Sequence, residues 1–429
     1  FMENITMSFE KNNLVRNLTL GVVVATCSMS ALAKKNELTV WAWDPNFNIA
    51  IMEQAKATYQ KAHPDVAIKV VDFAKADLEQ KMHTMLASGM TKSLPDIVLV
   101  EDYNAPKFLS SYPGAFAAMD GKVDYTKFAP YKVELMTMNG KTYGMPFDSG
   151  VTGMYYRKDL LAQAGFKPED MQNITWDRFI EIGKAVKAKT GKAMLGNDPN
   201  DPGLVRVMMQ SAGSWYFDEK GALNIKNNEA LKEALRIEKS MTDAGIVRPT
   251  MGWSEWVGAV NHGDVATITT GVWITASVKA GADQAGKWAV APTPRLNIKG
   301  GTNQSNLGGS SWYVISTSDN SDQAIDFLNS TFGKDSAFYQ QILTDRGAVG
   351  SYLPARSGKA YQQPDAFFGG QAIYSDFANW LGKVPKVNYG YYTYEADAAL
   401  AAQLPAYFQG MPLEQVLEQI DSQLAAQIQ

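Results

Sequence analysis

The chain has little of what most catalytic and metal centres need. In 429 residues there is one cysteine, Cys27, and only three histidines, His63, His83 and His262. A single cysteine excludes an intramolecular disulfide and any site built from several thiolates. The histidines form no i, i+4 pair, which argues against a histidine-rich metal centre. There is no surplus of positive charge either: 40 Lys plus Arg stand against 44 Asp plus Glu, a net charge of −4. With no basic excess to neutralise phosphates, no nucleic-acid partner is expected. The common fingerprints of chemistry are missing, with no P-loop, G-x-G-x-x-G, G-x-S-x-G or H-E-x-x-H. Asp198, Asn200 and Asp201 resemble part of a calcium loop, but Pro199, Pro202 and the lack of a distal glutamate break the pattern. No catalytic residue, cofactor or metal is expected.

What remains is an ordinary globular composition with many aromatics: 45% hydrophobic, 20% charged, and 10 Trp, 19 Tyr and 18 Phe. Those values exclude a disordered or coiled-coil chain, and the length predicts about two to three domains.

Lys11 and Arg16 precede an apolar run, Leu18 to Ala25, and small residues follow up to Ala31-Leu32-Ala33. This is the order of a secretory signal peptide, with Met7 read as the start and cleavage expected after Ala33. Lipidation at Cys27 is the rival, weakened because Thr26 replaces the usual Gly or Ala. A mature chain without cysteine suits an oxidising periplasm. No other stretch reaches the roughly 18 apolar residues that a membrane span needs.

After the signal, Leu38 to Trp43 reads as a strand, and Ile49, Met52, Ala55 and Tyr59 recur at helical spacing. Val66, Ile68 and Val70 alternate, a second helix follows through Leu78, Met82 and Met85, and Ile97 to Val100 forms a third strand. The βαβαβ order predicts a parallel sheet with helices on both faces, and ligands in such sheets bind beyond the carboxyl ends of the strands. Two of those ends carry carboxylates here, Asp44 and the pair Glu101-Asp102. Asn139-Gly140 marks a turn, and extended segments around Tyr143–Phe147 and Val151–Tyr156 read as a crossing between two lobes.

The stretch Gly140 to Phe166 (GKTYGMPFDSGVTGMYYRKDLLAQAGF) resembles the solute-binding proteins of bacterial carbohydrate ABC importers, the group that includes maltose-binding protein. Thr175-Trp176-Asp177, Gly263 to Trp273 (GDVATITTGVW), Gly308 to Ala324 and Leu353-Pro354-Ala355-Arg356 match further segments of that family in order. Arg157 stands where the family commonly has Asn. The resemblance implies an α/β periplasmic binding protein fold: two discontinuous lobes, a hinge, and a ligand cleft between them. The limits expected are 1–33 for the signal peptide, 34–147 and 291–314 for the N-lobe, and 148–290 and 315–429 for the C-lobe.

Sugars need charge-assisted hydrogen bonds to their hydroxyls and an aromatic face for their C–H surface. On the strand-end argument, Trp43, Asp44, Glu101 and Asp102 are candidate ligand residues. The resemblance adds Asp148 after the hinge strand, Trp273 as a stacking residue, and Trp215, Arg356 and Trp380. Trp253 flanks a helix start, and Gly308 and Gly309 leave room for backbone N–H groups to approach a ligand. The tyrosines 389, 391, 392 and 394 read as a packed loop. The function expected is capture of a mono- or short oligosaccharide and its delivery, by a monomeric periplasmic protein, to ABC importer permease subunits in the inner membrane. A polyol or polyamine on the same fold is the first alternative, and a secreted glycoside hydrolase the second.

Overall fold

A computed structural model describes residues 37–428; the expected signal peptide, with Cys27, lies outside the described residues. Two five-stranded sheets organise the chain. The first contains β1 (Glu37–Ala42), β2 (Ala67–Asp72), β3 (Ile97–Glu101), β4 (Gly144–Pro146) and β10 (Ser310–Val314), in the order β2-β1-β3-β10-β4. The strands β1, β2 and β3 are parallel and β10 runs against both β3 and β4. The second contains β5 (Thr152–Arg157), β6 (Ala193–Asn197), β7 (Val247–Pro249), β8 (Val265–Gly271) and β9 (Trp288–Ala291), in the order β9-β5-β8-β6-β7.

Side-chain alternation explains why both sheets are covered on both faces. In the first sheet Val40, Leu99 and Trp312 enter one core, while Trp41, Val98 and Tyr313 enter the other. In the second, Met154, Tyr156 and Ala289 point one way and Tyr155, Trp288 and Val290 the other. The expected order β1–α1–β2–α2–β3 is present, with α1 at Ala50–Gln60 and α2 at Lys75–Ala87. The segment that opens on Thr175 forms α3 (Trp176–Thr190), and the Thr175 side chain caps it by accepting from Arg178 N–H at 3.1 Å. Next come α4 (Gly203–Ser211), α5 (Glu229–Asp243) and α6 (Gly252–Asn261). Towards the end lie α7 (Ser321–Leu328), α8 (Ser336–Arg346), α9 (Ile373–Leu381), α10 (Thr393–Phe408) and α11 (Leu413–Gln427). Val416, Leu417, Ile420 and Leu424 of α11 are all buried, as their spacing predicts.

Three segments pass between the lobes, and they run against each other. Asp148 bridges to Gly350 and Val151 to Asn306. We propose that two of the passages are 147–151 and 292–309, beside the limits expected at 147 and 291. For the third we propose a later position, around 349–361, because Phe327 of α7, Phe332 just before α8 and Ile342 of α8 share a core with Ile51, Phe147 and Trp312, whereas Val349 and Tyr361 share one with Tyr155 and Val290 of the second sheet. The limit expected at 315 came with the family resemblance, and an amphipathic stripe does not say which sheet it will cover.

Among the described residues no helix is long and apolar enough to cross a membrane.

Candidate functional site

The carboxyl ends of β1 and β3 open toward the second lobe. Trp43 and Asp44 leave β1, and Asp44 takes a backbone conformation that non-glycine residues rarely adopt, with φ of 66°. Its carboxylate accepts the N–H groups of Asn46 and Phe47 at 3.1 and 3.2 Å and so caps the turn into α1. Burial pushes its pKa up to about 6, against the pull of those two N–H groups. Positive-φ strain in a polar residue at a strand end is a hallmark of ligand clamps. Asp44→Ala is expected to lower stability by about 1–2 kcal/mol, from strain plus the lost cap. Asp44→Asn keeps an oxygen and tolerates φ > 0, so it should lose less. Urea unfolding of the two variants tests this, and equal losses would contradict it.

Glu101, at the end of β3, is held by two groups that sequence reading did not select: it accepts from Lys75 at the start of α2 and from the hydroxyl of Tyr394 on α10. Burial also pushes Glu79, one turn along α2 from Lys75, up to about 7. Lys75 follows the end of β2, so the strand-end argument that picked Asp44 and Glu101 could have found it. Tyr394 was hidden in the tyrosine cluster. Of that cluster Tyr389 is buried and Tyr391 exposed, while Tyr394 lies in the first turn of α10.

From the second lobe, Trp273 follows β8. Its indole N–H donates to Leu307 O at 2.8 Å, which leaves the ring faces as its remaining contact surface. The ring packs against cores of both lobes. Trp253 lies 5.8 Å from it and Trp256 a further 5.6 Å from Trp253, centroid to centroid. Gly308 joins the two sides: a Cβ built there would lie 3.4 Å from Trp273 Nε1 and 3.6 Å from Glu101 Oε1. The structure thus brings together Glu101, Gly308, Trp273 and Trp253, with Trp43 packed on the same first-lobe core that Trp273 reaches.

The remaining candidates have other partners. Asp102 is 3% exposed and its carboxylate faces inward to Lys132, itself fully buried, at 2.8 and 2.9 Å. Asp148 is equally buried and accepts from Ser310 N–H at 2.8 Å. Gly309 packs between them, where a Cβ would meet Asp102 Oδ2 at 2.8 Å. These three form a node at the hinge. Trp215 is buried in the second lobe, with its indole N–H on Thr393 Oγ1 at 3.0 Å and its ring 5.5 Å from Tyr103. Tyr103 in turn accepts Gly308 N–H at 2.8 Å, so Trp215 supports the cleft floor from behind. Arg356 sits on the turn Leu353–Ser357, near Tyr131 and Tyr361. Trp380 lines a separate cavity on the second lobe.

The geometry offers a surface of carboxylate, ammonium, phenol and indole groups between two lobes. Among the described residues, no group of three or more His, Cys, Asp or Glu side chains is placed to hold a metal ion. The sequence profile of the bacterial extracellular solute-binding proteins matches residues 54–368. A lactose-binding protein of Rhizobium radiobacter is 57% identical over 416 residues, 97% of this chain and 99% of that one. An arabinooligosaccharide-binding protein of Bacillus subtilis (strain 168) is 30% identical over 76% of each chain. Among solved structures, the ABC-transporter-associated binding protein of B. animalis subsp. lactis Bl-04, in complex with β-1,6-galactobiose, superposes with a TM-score of 0.79 at 22% identity, covering 91% of this chain and 96% of that one. The sugar-binding protein MalE of Xanthomonas citri gives 0.72 at 17%, covering 91% and 98%. At such identities the likeness is one of fold: two α/β lobes of the periplasmic binding protein kind.

Proposed function

The chain belongs to the bacterial extracellular solute-binding proteins, which bind their solutes rather than convert them, and we propose that it captures lactose or a related short galactoside and hands it to an ABC importer. The observation that carries this reading is the meeting of Glu101 and Trp273 at Gly308, a hydrogen-bonding carboxylate and an aromatic face from opposite lobes. That pair matches the two needs of a pyranose, which closure would bring onto one ring. The relative at 57% identity, with nearly complete coverage of both chains, supports lactose as the ligand class.

The alternatives lose ground on charge. A polyamine needs uncompensated carboxylates, but Glu101 is paired with Lys75 and Asp102 with Lys132. The acid and base of a glycosidase must face a substrate, while Asp102 and Asp148 face protein donors. In the proposed cycle the protein works as a monomer in the periplasm. Ligand shifts the population of lobe arrangements toward the closed one, and permease subunits in the inner membrane recognise that form.

Thermal melting of the mature protein tests this. Lactose at a hundredfold excess over Kd should add about 2.7 kcal/mol of stability, whereas mannitol and spermidine should add little. A shift with spermidine or mannitol alone would overturn the ligand assignment.

A further inference from the structure

A cavity of about 400 Å³ lies on the second lobe and its connecting segments and shares no residue with the cleft. That volume is within the range of small-molecule sites. Its wall contains the indole of Trp380, the amides of Gln172, Asn173 and Gln304, and one charge of each sign, Asp376 and Lys383. Trp380 is half-buried and braced edge to face on Phe377, with centroids 5.1 Å apart. Asp376 is held in place by a relay. Gln371 bonds both to the backbone of the edge strand β9, accepting from Val290 N–H at 2.9 Å and donating to Val290 O at 2.8 Å, and to Asp376 Oδ2 at 2.9 Å. The relay also closes the outer side of the sheet edge, which would otherwise expose unpaired backbone groups. Asn173 adds a strained backbone at φ of 53°.

From this wall we infer a second binding pocket for a neutral carbohydrate, independent of the cleft. The two charges cancel, so the cavity favours neither anions nor polycations. Amides offer donors and acceptors together, as hydroxyl groups require, and a braced indole offers an apolar face for a sugar ring. None of the lining residues comes from the first sheet's strands, so no group of that sheet is needed to wall it. It should therefore bind more weakly than the cleft, because no second lobe wraps the ligand.

The indole N–H resonances of the mature protein, with Trp380 assigned through Trp380→Phe and Trp273 through Trp273→Phe, give the test. Lactose, galactose and mannitol are titrated in turn. At least one of the two sugars should move the Trp380 signal after the Trp273 signal has stopped moving, and should still move it in Trp273→Ala. Gln304→Ala and Asp376→Asn should weaken that second phase at least threefold while leaving the first unchanged. A Trp380 signal that stays still, that saturates together with Trp273, or that answers to mannitol alone would overturn the inference. A still Trp273 signal would instead count against the cleft assignment, so the two failures are distinct.

Discussion

Trp273→Ala is expected to weaken lactose binding by about 30-fold, or ~2 kcal/mol, the loss typical of a central aromatic anchor. The argument rests on how the indole is held. It folds back over Gly271, where a Cβ would lie 2.1 Å from Trp273 Nε1, so only glycine at 271 permits this placement. Its N–H is already used on Leu307 O, on the segment that leads to Gly308. The ring is therefore fixed in orientation and offers the ligand its faces rather than a hydrogen bond. Trp273→Phe keeps much of the apolar face and loses the link to Leu307, so it should fall between wild type and alanine. Gly271→Ala leaves the indole in the sequence and displaces it, and should cost at least as much affinity as Trp273→Phe. Calorimetric titration of the three variants, with circular dichroism to show that each is folded, checks this order. Unchanged affinity in Trp273→Ala would remove Trp273 from the site.

The strand ends were legible because they depend on local pattern, and the aromatic after β8 because the segment that carries it resembles the family. Alternation located β1 and β3, and the chemistry at their ends followed from the rule for α/β sheets. Glu101 and Trp273 came from that pattern and from the family resemblance respectively, and they do meet at Gly308. Asp102 was a neighbour of Glu101 with the same credentials, yet successive residues at a strand end point opposite ways, and its partner Lys132 is 30 residues away. No local pattern reveals such a partner. Strands β6, β7 and β9 escaped reading because β6 and β7 are short and neither alternates clearly, and Trp288 to Ala291 is a four-residue apolar run with no polar face. The order of elements likewise said nothing about which sheet α7 and α8 would cover, since their apolar stripes fit either. Trp380, a candidate through the resemblance, lines a cavity together with Asp376 and Lys383.

The hinge node should give the largest loss of stability. Lys132 is fully buried, and its ammonium donates to both oxygens of Asp102 and, at 2.8 Å, to Ser310 O. All three of its protons are spent on the first sheet, directly beside Asp148 and Gly309 of the crossing segments. Lys132→Met fits a side chain of similar length but leaves Asp102 as a buried, unpaired carboxylate, and should lower stability by about 3–5 kcal/mol at pH 8. Adding Asp102→Asn removes the stranded charge and should recover more than half of that. The pH dependence has a definite sign. Burial already raises Asp102 to about 6 even though Lys132 pulls it down, and the same opposition acts on Asp148. Without Lys132 both rise further. A native state that binds a proton where the unfolded chain does not loses stability as pH rises through that window. The deficit of Lys132→Met relative to wild type should therefore shrink between pH 8 and pH 5, while the double variant, left with Asp148 alone, should vary less. Urea unfolding at the two pH values decides the matter: a deficit below about 1 kcal/mol, or one that does not change with pH, would mean that the pair contributes little and that the hinge is held by its backbone bridges instead.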